Sequence, residues 1–149
     1  MFDFGCHWIE VLLDLFGEAS EVKSISSNSY FGRDVEDVAV ALFRFEQGTC
    51  ATLSVAHSAS DPTDTLDIFG SRGSLQVPVL NEGTLRVMSE SGARTESHPG
   101  AANIHQPLIE DFAKAIIENR EPLVTGEIGR AVADIVAQTS VYVLAANSE

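Results

Sequence analysis

Two neighbouring β-rich runs constrain the fold of this chain more than any other feature. Residues Asp37 to Phe45 and Thr49 to His57 are separated by Glu46-Gln47-Gly48, which has the form of a three-residue hairpin loop with glycine where a positive φ is needed. Side chains that alternate along the first run are apolar on both faces. One face carries Val38, Val40 and Leu42, and the other carries Ala39, Ala41, Phe43 and Phe45. The pattern predicts a hairpin whose first strand is buried on both sides.

Further elements flank this hairpin. Shorter β-rich runs and turn residues predict strands at Glu21 to Tyr30, Thr65 to Phe69, Ser74 to Val79 and Leu85 to Ser89. Ser91 to Asn103 carries Gly, Ser, Pro and Thr without a period and is expected to form a loop. The order of elements predicts an α+β fold, with a mostly antiparallel sheet and helices on one face.

Two helices are predicted in the last third of the chain. The first has an apolar stripe, follows Pro107 at its first helical position and ends near Asn119. Its stripe consists of Leu108, Ile109, Phe112, Ile116 and Ile117. The second is a long helix with a stripe made of Ile128, Val132, Ile135, Val136, Thr139 and Val143. No repeat or linker divides the chain, so residues 1–149 are expected to form a single domain.

The first seventeen residues combine a helical pattern with polar chemistry. Ile9, Leu12, Leu13 and Phe16 recur with the spacing of one buried helix face, and they predict a helix from about Phe4 to Phe16. Asp3, His7, Glu10 and Asp14 fall on the opposite stripe. We expect Asp3 to cap the start of the helix and Gly17 to end it as a left-handed residue.

His7 is the sharpest catalytic candidate of the sequence, because the charged form of an imidazole is disfavoured near a helix N-terminus and the neutral ring can accept a proton. The alternative is a partly buried structural histidine. Asp3 either orients His7 or a substrate hydroxyl, or is a plain cap. Glu10 belongs to a solvated acidic face or supports the site, and Trp8 belongs to the core or to a pocket wall. His57, His98 and His105 lack metal-ligand spacing. His105 either caps a helix, which we expect, or faces the site cleft.

Composition excludes several classes of function. The formal net charge is −13, with 22 acidic and 9 basic side chains, so nucleic acid and anionic membranes are unfavourable partners. Two cysteines without C-x-x-C spacing fit a reducing compartment. No leader pattern or membrane span is evident, and the cytoplasm is the expected location. Because the chain starts directly on the first helix, it has the look of a truncated protein.

The run Asp3-Phe4-Gly5-Cys6-His7-Trp8-Ile9-Glu10 resembles the D-x-G-x-H-x-x-D signature that opens the second domain of the glucose-fructose oxidoreductase, inositol dehydrogenase and rhizopine-catabolism (GFO/IDH/MocA) family. Glu10 stands where Asp is usual. The runs from Val35 to Leu53, from Leu66 to Val77 and from His105 to Gly129 follow the same family in order, so the resemblance covers nearly the whole chain. The family's dinucleotide-binding domain, with its glycine-rich loop, is absent from this sequence.

The resemblance implies an open sheet backed by helices, in the substrate-binding and catalytic half of an NAD(P)-dependent dehydrogenase acting on a sugar, polyol or related hydroxyl compound. It implies that His7 and Asp3 are catalytic and that Glu10 and Trp8 bind substrate. NAD or NADP would be bound by the full-length enzyme and by no part of this chain. The alternative is a non-enzymatic module that dimerises or binds a small ligand.

An oligomer is also expected. Helices on one side of the sheet cannot cover both apolar faces of the strand from Asp37 to Phe45, and a large exposed apolar patch marks an interface. The family's pairing of sheets points the same way. We therefore expect a homodimer or higher oligomer through the open sheet face, with Phe43 in the interface.

Overall fold

The computed structural model of the chain describes residues 3–28, 30–61 and 63–146, and it describes side chains as far as residue 139. These residues fall into two compact units, Met1–Ser60 with Val124–Glu149, and Asp61–Leu123. Within the described ranges, the helices are α1 (Gly5–Phe16), α2 (Gln106–Glu118) and α3 (Gly126–Ala146). The strands are β1 (Ala19–Ser27), β2 (Val38–Phe45), β3 (Cys50–Ala56), β4 (Leu66–Gly70), β5 (Gly73–Val77), β6 (Thr84–Ser89) and β7 (Gly92–Ser97).

The strands form two antiparallel sheets, one for each unit. The first has the order β1-β2-β3 and the second has the order β4-β5-β6-β7. All ladders between named strands are antiparallel, because each strand follows its neighbour through a short turn or loop. The α+β class with antiparallel strands is confirmed, and the strands are shared between two sheets.

The predicted central hairpin is present. Phe45 donates its backbone N–H to the carbonyl of Thr49 (2.9 Å), and Gly48 donates to the carbonyl of Phe45 (2.8 Å). Gly48 has a φ of 88°, a backbone conformation that residues other than glycine rarely adopt. The loop sets the register so that Val38 pairs with Ala56 at the far end of the hairpin.

The core of the first unit lies on one face of the three-stranded sheet. Its buried residues come from α1, β2, β3 and α3, and they are Ile9, Leu12, Ala39, Ala41, Phe43, Phe45, Leu53, Val55, Ile135 and Val136. Both helices therefore cover the same face of this sheet, as the sequence predicts. Val143, in the predicted stripe of α3, lies outside the described side chains.

The outer face of the three-stranded sheet departs from the prediction. On β2, Val40 is 41% exposed and Leu42 is 55% exposed, whereas Phe43 is 3% exposed. The prediction that β2 is buried on both sides is wrong, because α1 and α3 cover one face only. Phe43 faces the core and not the open side. Ile25, which pairs with Val40 across the sheet, is also exposed.

Two further features of the second unit correct or refine the sequence analysis. Gly92–Ser97 was expected to be loop, but it forms β7 and pairs with β6. This strand is almost fully exposed, so an apolar alternation does not develop in its sequence. Helix α2 ends as predicted at Asn119, whose φ of 49° is left-handed. The five residues of its apolar stripe are all exposed. Among the described residues, no helix combines the length and apolarity needed to cross a membrane.

Candidate functional site

Helix α1 presents its polar residues as the sequence predicts. Ile9 and Leu12 are buried against the sheet, while His7 is exposed and Glu10 is half-buried. Trp8 is partly buried and packs against the core, which places it between the two faces of the helix. His7 is thus an imidazole held on a packed helix and accessible to a ligand.

Asp3 does not cap α1. The N-cap residue is Phe4, and it makes no side-chain capping bond. The carboxylate of Asp3 is directed elsewhere, because its Oδ2 lies 3.9 Å from Nε2 of His57. Between Asp3 and His7, both of which are described, the structure records no hydrogen bond or ion pair. The prediction of a capping role for Asp3 is therefore wrong, and its described side-chain partner is the imidazole of His57, which follows β3.

His57 follows directly after β3 and contacts the start of α1. Its ring lies 4.8 Å from the ring of Phe4, measured between centroids. Its backbone N–H donates to the carbonyl of Asp37 at 2.8 Å. His57 therefore joins the end of the hairpin to the turn that precedes α1, which contains Asp3 and Phe4.

A cleft of about 380 Å³ opens at this junction, within the size range of small-molecule sites. Its walls come from the turn that precedes α1, the segment between β1 and β2, and the residue that follows β3. The lining residues are Asp3, Phe31, Arg33, Val35, Glu36, Asp37 and His57. One aromatic ring, one guanidinium, one imidazole and three carboxylates thus surround a single cavity.

Asp37 organises one wall of this cleft. It is 4% exposed, and its Oδ2 accepts hydrogen bonds from the backbone N–H groups of Tyr30 (2.7 Å) and Phe31 (2.8 Å). Its own backbone N–H donates to the carbonyl of Ser27 (2.9 Å). The Oδ1 atom is buried and has no hydrogen-bond partner among the described residues. One carboxylate oxygen of Asp37 therefore holds the loop, and the other accepts no hydrogen bond from the residues that the structure describes.

Arg33 belongs to the same loop segment. Its guanidinium carbon lies 5.1 Å from the centre of the Phe31 ring, a cation–π geometry. The Asn28 side chain donates to the carbonyl of Arg33. These contacts fix a cation and an aromatic face beside Asp37.

Sequence reasoning missed the cleft. It treated His57 as one of several scattered histidines and passed over Arg33 and Asp37. A signal was available, because the three-residue loop of the hairpin sets a register that carries Asp37 opposite His57. His105 occupies an N-cap position without a side-chain capping bond, so its predicted capping role is wrong. Among the described residues, no cluster of three or more His, Cys, Asp or Glu side chains could hold a metal ion.

Residues 1–76 match the family model of the GFO/IDH/MocA C-terminal domain. The chain belongs to this family. The matched residues of this GFO/IDH/MocA domain include α1, the hairpin and the whole cleft. The predicted family is thereby confirmed, and so is the predicted fold class. A search of curated protein sequences finds no match.

Solved structures resemble this GFO/IDH/MocA domain over most of its length. A UDP-N-acetylglucosamine 3-dehydrogenase from Acidithiobacillus ferrooxidans is 25% identical, with a TM-score of 0.81, over 92% of this chain and 44% of that chain. A levoglucosan dehydrogenase in complex with NADH is 23% identical, with a TM-score of 0.80, over 95% of this chain and 48% of that chain. An aldose-aldose oxidoreductase from Caulobacter crescentus, in complex with glycerol, is 22% identical, with a TM-score of 0.79, over 91% of this chain and 42% of that chain. This domain therefore spans less than half the length of these solved relatives.

Proposed function

We propose that this chain is the substrate-binding and catalytic part of an NAD(P)-dependent oxidoreductase that acts on a hydroxyl group of a sugar, polyol or related compound. Residues 1–149 would form the C-terminal domain, and a dinucleotide-binding domain would be supplied elsewhere in the full-length enzyme. The observation that carries this proposal is the family match over α1, where His7 is exposed on the polar side of a packed helix. Solved relatives that act on sugars support the substrate class.

The proposed chemistry removes a proton from the substrate hydroxyl and a hydride from the carbon that bears it. When bound, the oxidised nicotinamide supplies the hydride acceptor. A ring nitrogen of His7 accepts the proton as a general base, which requires hydrogen-bond reach to the hydroxyl. The exposed position of His7 allows a substrate to approach that closely.

Three neighbours of His7 are given supporting roles. Asp3 accepts a hydrogen bond from the substrate, and its carboxylate lies near His57 (3.9 Å). Trp8, which packs against the core, forms a wall of the site. Glu10 contacts the substrate or steadies His7 from the next turn of α1.

The nicotinamide cofactor, NAD or NADP, is assigned to the full-length enzyme and not to this chain. The sequence carries no glycine-rich phosphate loop, and the net charge of −13 disfavours a pyrophosphate. We place the enzyme in the cytoplasm, because Cys6 and Cys50 are free thiols and free thiols persist in reducing compartments.

The test is turnover by the intact enzyme, measured as reduced nicotinamide with NAD⁺ or NADP⁺ and a panel of sugars and polyols. The His7→Ala variant is expected to lower kcat by roughly 10²- to 10⁴-fold, the usual share of general base catalysis, with cofactor affinity unchanged. His98→Ala is the matched control, because His98 is exposed on the other unit and pairs with Glu96. Near wild-type kcat in His7→Ala would make the imidazole structural. The Asp3→Asn variant then tests whether the carboxylate acts on the substrate.

A homodimer through the outer face of the three-stranded sheet is the second part of the proposal. Ile25, Val40 and Leu42 form an exposed apolar group on that face, here called the outer patch. Exposed apolar groups of this kind are typical of interfaces. The same patch favours the alternative function, a non-enzymatic dimerisation module. A dimer that oxidises no compound of the panel with either cofactor would support that alternative.

A further inference from the structure

We propose that His57 is a positioning residue, which holds the carboxylate of Asp3 in the place from which it serves the proposed reaction. The inference rests on the proposed function, in which Asp3 accepts a hydrogen bond from the substrate. It adds a residue from a different part of the chain, the end of the hairpin, which acts on the substrate through Asp3 and does not touch the substrate itself.

The first argument is that α1 does not hold the side chain of Asp3. Asp3 lies in the turn before α1, where Phe4 is the N-cap residue and makes no side-chain capping bond. The backbone carbonyl of Asp3 accepts a hydrogen bond from the Cys6 thiol (3.1 Å), but its side chain is 75% exposed. An exposed side chain samples several rotamers unless a partner selects one. A carboxylate that must meet a substrate at hydrogen-bond distance therefore needs such a partner.

The second argument is the geometry between His57 and Asp3. The Nε2 atom of His57 lies 3.9 Å from the Oδ2 atom of Asp3. This separation is too long for a direct hydrogen bond, and it is short enough for an ion pair or a bridging water. The Nε2–H group of an imidazole is a donor in the protonated ring and in one neutral tautomer, whereas an ionised carboxylate only accepts. His57 is therefore a group of the right chemistry to attract the Asp3 carboxylate.

The third argument is that His57 is itself held firmly. Its side chain is only 33% exposed, and its ring packs on the ring of Phe4 with 4.8 Å between the centroids. Its backbone N–H donates to the carbonyl of Asp37 (2.8 Å), next to the last pair of the ladder between β2 and β3. Because the imidazole is the fixed member of the pair, it sets the position of the exposed carboxylate.

The first experiment measures kcat and KM of the intact enzyme in two variants that separate the donor of His57 from its packing. His57→Gln keeps an N–H donor near the place of Nε2 and loses the ring, whereas His57→Leu keeps an apolar contact with Phe4 and loses the donor. We expect kcat/KM to fall about 10- to 100-fold in His57→Leu, since misplacing a group by about 1 Å has costs of that order, and to be largely restored in His57→Gln. The reverse order, with His57→Leu the milder variant, would show a packing role and overturn the proposal.

A double-mutant cycle tests whether His57 acts through Asp3. In the Asp3→Ala background, His57→Leu should change kcat/KM less than about twofold, because residues that act as one unit have non-additive effects. The two single variants should also divide their losses between kcat and KM in the same way. His98→Leu is the matched control, because His98 is an exposed histidine that pairs with the carboxylate of Glu96, and it should leave kcat/KM unaltered in either background. Additive losses from Asp3→Ala and His57→Leu would refute the role of His57.

Nuclear magnetic resonance of the intact enzyme with isotope-labelled histidine tests the pair without turnover. The ring signals of His57, assigned by their loss in His57→Gln, should shift in Asp3→Ala, while those of His98 should stay in place. Glu96→Ala is the matched control, and it should shift the signals of His98 and leave those of His57 unaltered. Ring signals of His57 that are the same in wild type and in Asp3→Ala would show that the pair does not form, and the proposal would be wrong.

The two proposals fail in different ways. Absence of turnover with every compound of the panel removes the proposed function, and with it the reaction that His57 would serve. Normal turnover combined with additive losses in the cycle, or with unshifted His57 signals, removes the role of His57 alone and leaves the proposed function intact.

Discussion

The exposure of the outer patch allows the effect of a substitution on the Kd of the proposed dimer to be calculated. Leu42 is 55% exposed, and full burial of a leucine side chain stabilises by about 1.5–3 kcal/mol. Burial of the exposed half in a dimer therefore contributes roughly 1–1.5 kcal/mol per copy, and a twofold interface contains two copies. The total of roughly 2–3 kcal/mol corresponds to about a 30- to 150-fold change in Kd. Leu42→Asp should weaken the dimer by at least this factor, because a carboxylate must also be desolvated.

Sedimentation equilibrium over a range of concentrations measures this change directly. Leu15→Asp is the matched control, since Leu15 is 47% exposed on α1 and lies outside the sheet. The control should leave the dimer constant unaltered. A dimer that survives Leu42→Asp with the wild-type constant would refute the role of the outer patch. Phe43→Asp is unsuitable for this purpose, because Phe43 is buried in the core and a charge there would unfold the domain.

Two further predictions concern stability. Gly83→Ala should lower the free energy of unfolding by about 1–3 kcal/mol or more in chemical denaturation, because Gly83 has a φ of +69° and an added Cβ would lie 1.9 Å from the carbonyl oxygen of His98. Gly48→Ala is the control, because Gly48 has a φ of +88° but open space around it, so this variant should show the cost of backbone strain alone. Equal losses of stability in the two variants would contradict the steric clash at Gly83. The Leu123 backbone N–H and the Arg120 guanidinium lower the pKa of Asp111 below its ordinary value of 3.8. The stability from this carboxylate is present above about pH 4 and is lost as the pH falls through the lowered pKa. Thermal unfolding against pH should show a larger loss in wild type than in Asp111→Asn.

The helices and strands that could be predicted from the sequence are those in which apolar residues recur with a regular period because one face is buried. The helix from Gly5 to Phe16 and the hairpin around Gly48 both pack an apolar face on a common core, and their periods follow from that contact. Strand β7 was missed because it is an exposed edge, held by backbone bonds to β6. Because backbone hydrogen bonds do not depend on side-chain identity, the sequence of β7 shows no alternation of apolar and polar residues.

The same distinction applies to the candidate site, where local sequence patterns predict some residues and tertiary contacts place the others. His7 could be predicted as an exposed polar residue, because its neighbours on α1 report which side of the helix is buried. Asp37 and His57 are twenty residues apart and meet only through strand pairing, and the pairing of Asp3 with His57 depends on how α1 sits on the sheet. A capping role for Asp3 was the local prediction, and the tertiary contact replaced it. The exposure of Leu42 could not be predicted from the sequence either, because an apolar strand face has the same residue pattern whether a helix or a second copy of the chain covers it.

The Oδ2 atom of Asp37 accepts hydrogen bonds from the N–H groups of Tyr30 and Phe31, and these two bonds separate the sheet from the segment that leads into β2. They fasten the segment between β1 and β2 at its root, while the register of β1 with β2 is set independently by the ladder from Ser27 to Ala19. Residues 31–36 can therefore be exchanged or lengthened at small cost, since loop closure grows slowly with length. Grafting this segment between members of the family becomes a direct route to a domain with a reshaped cleft on an unaltered frame.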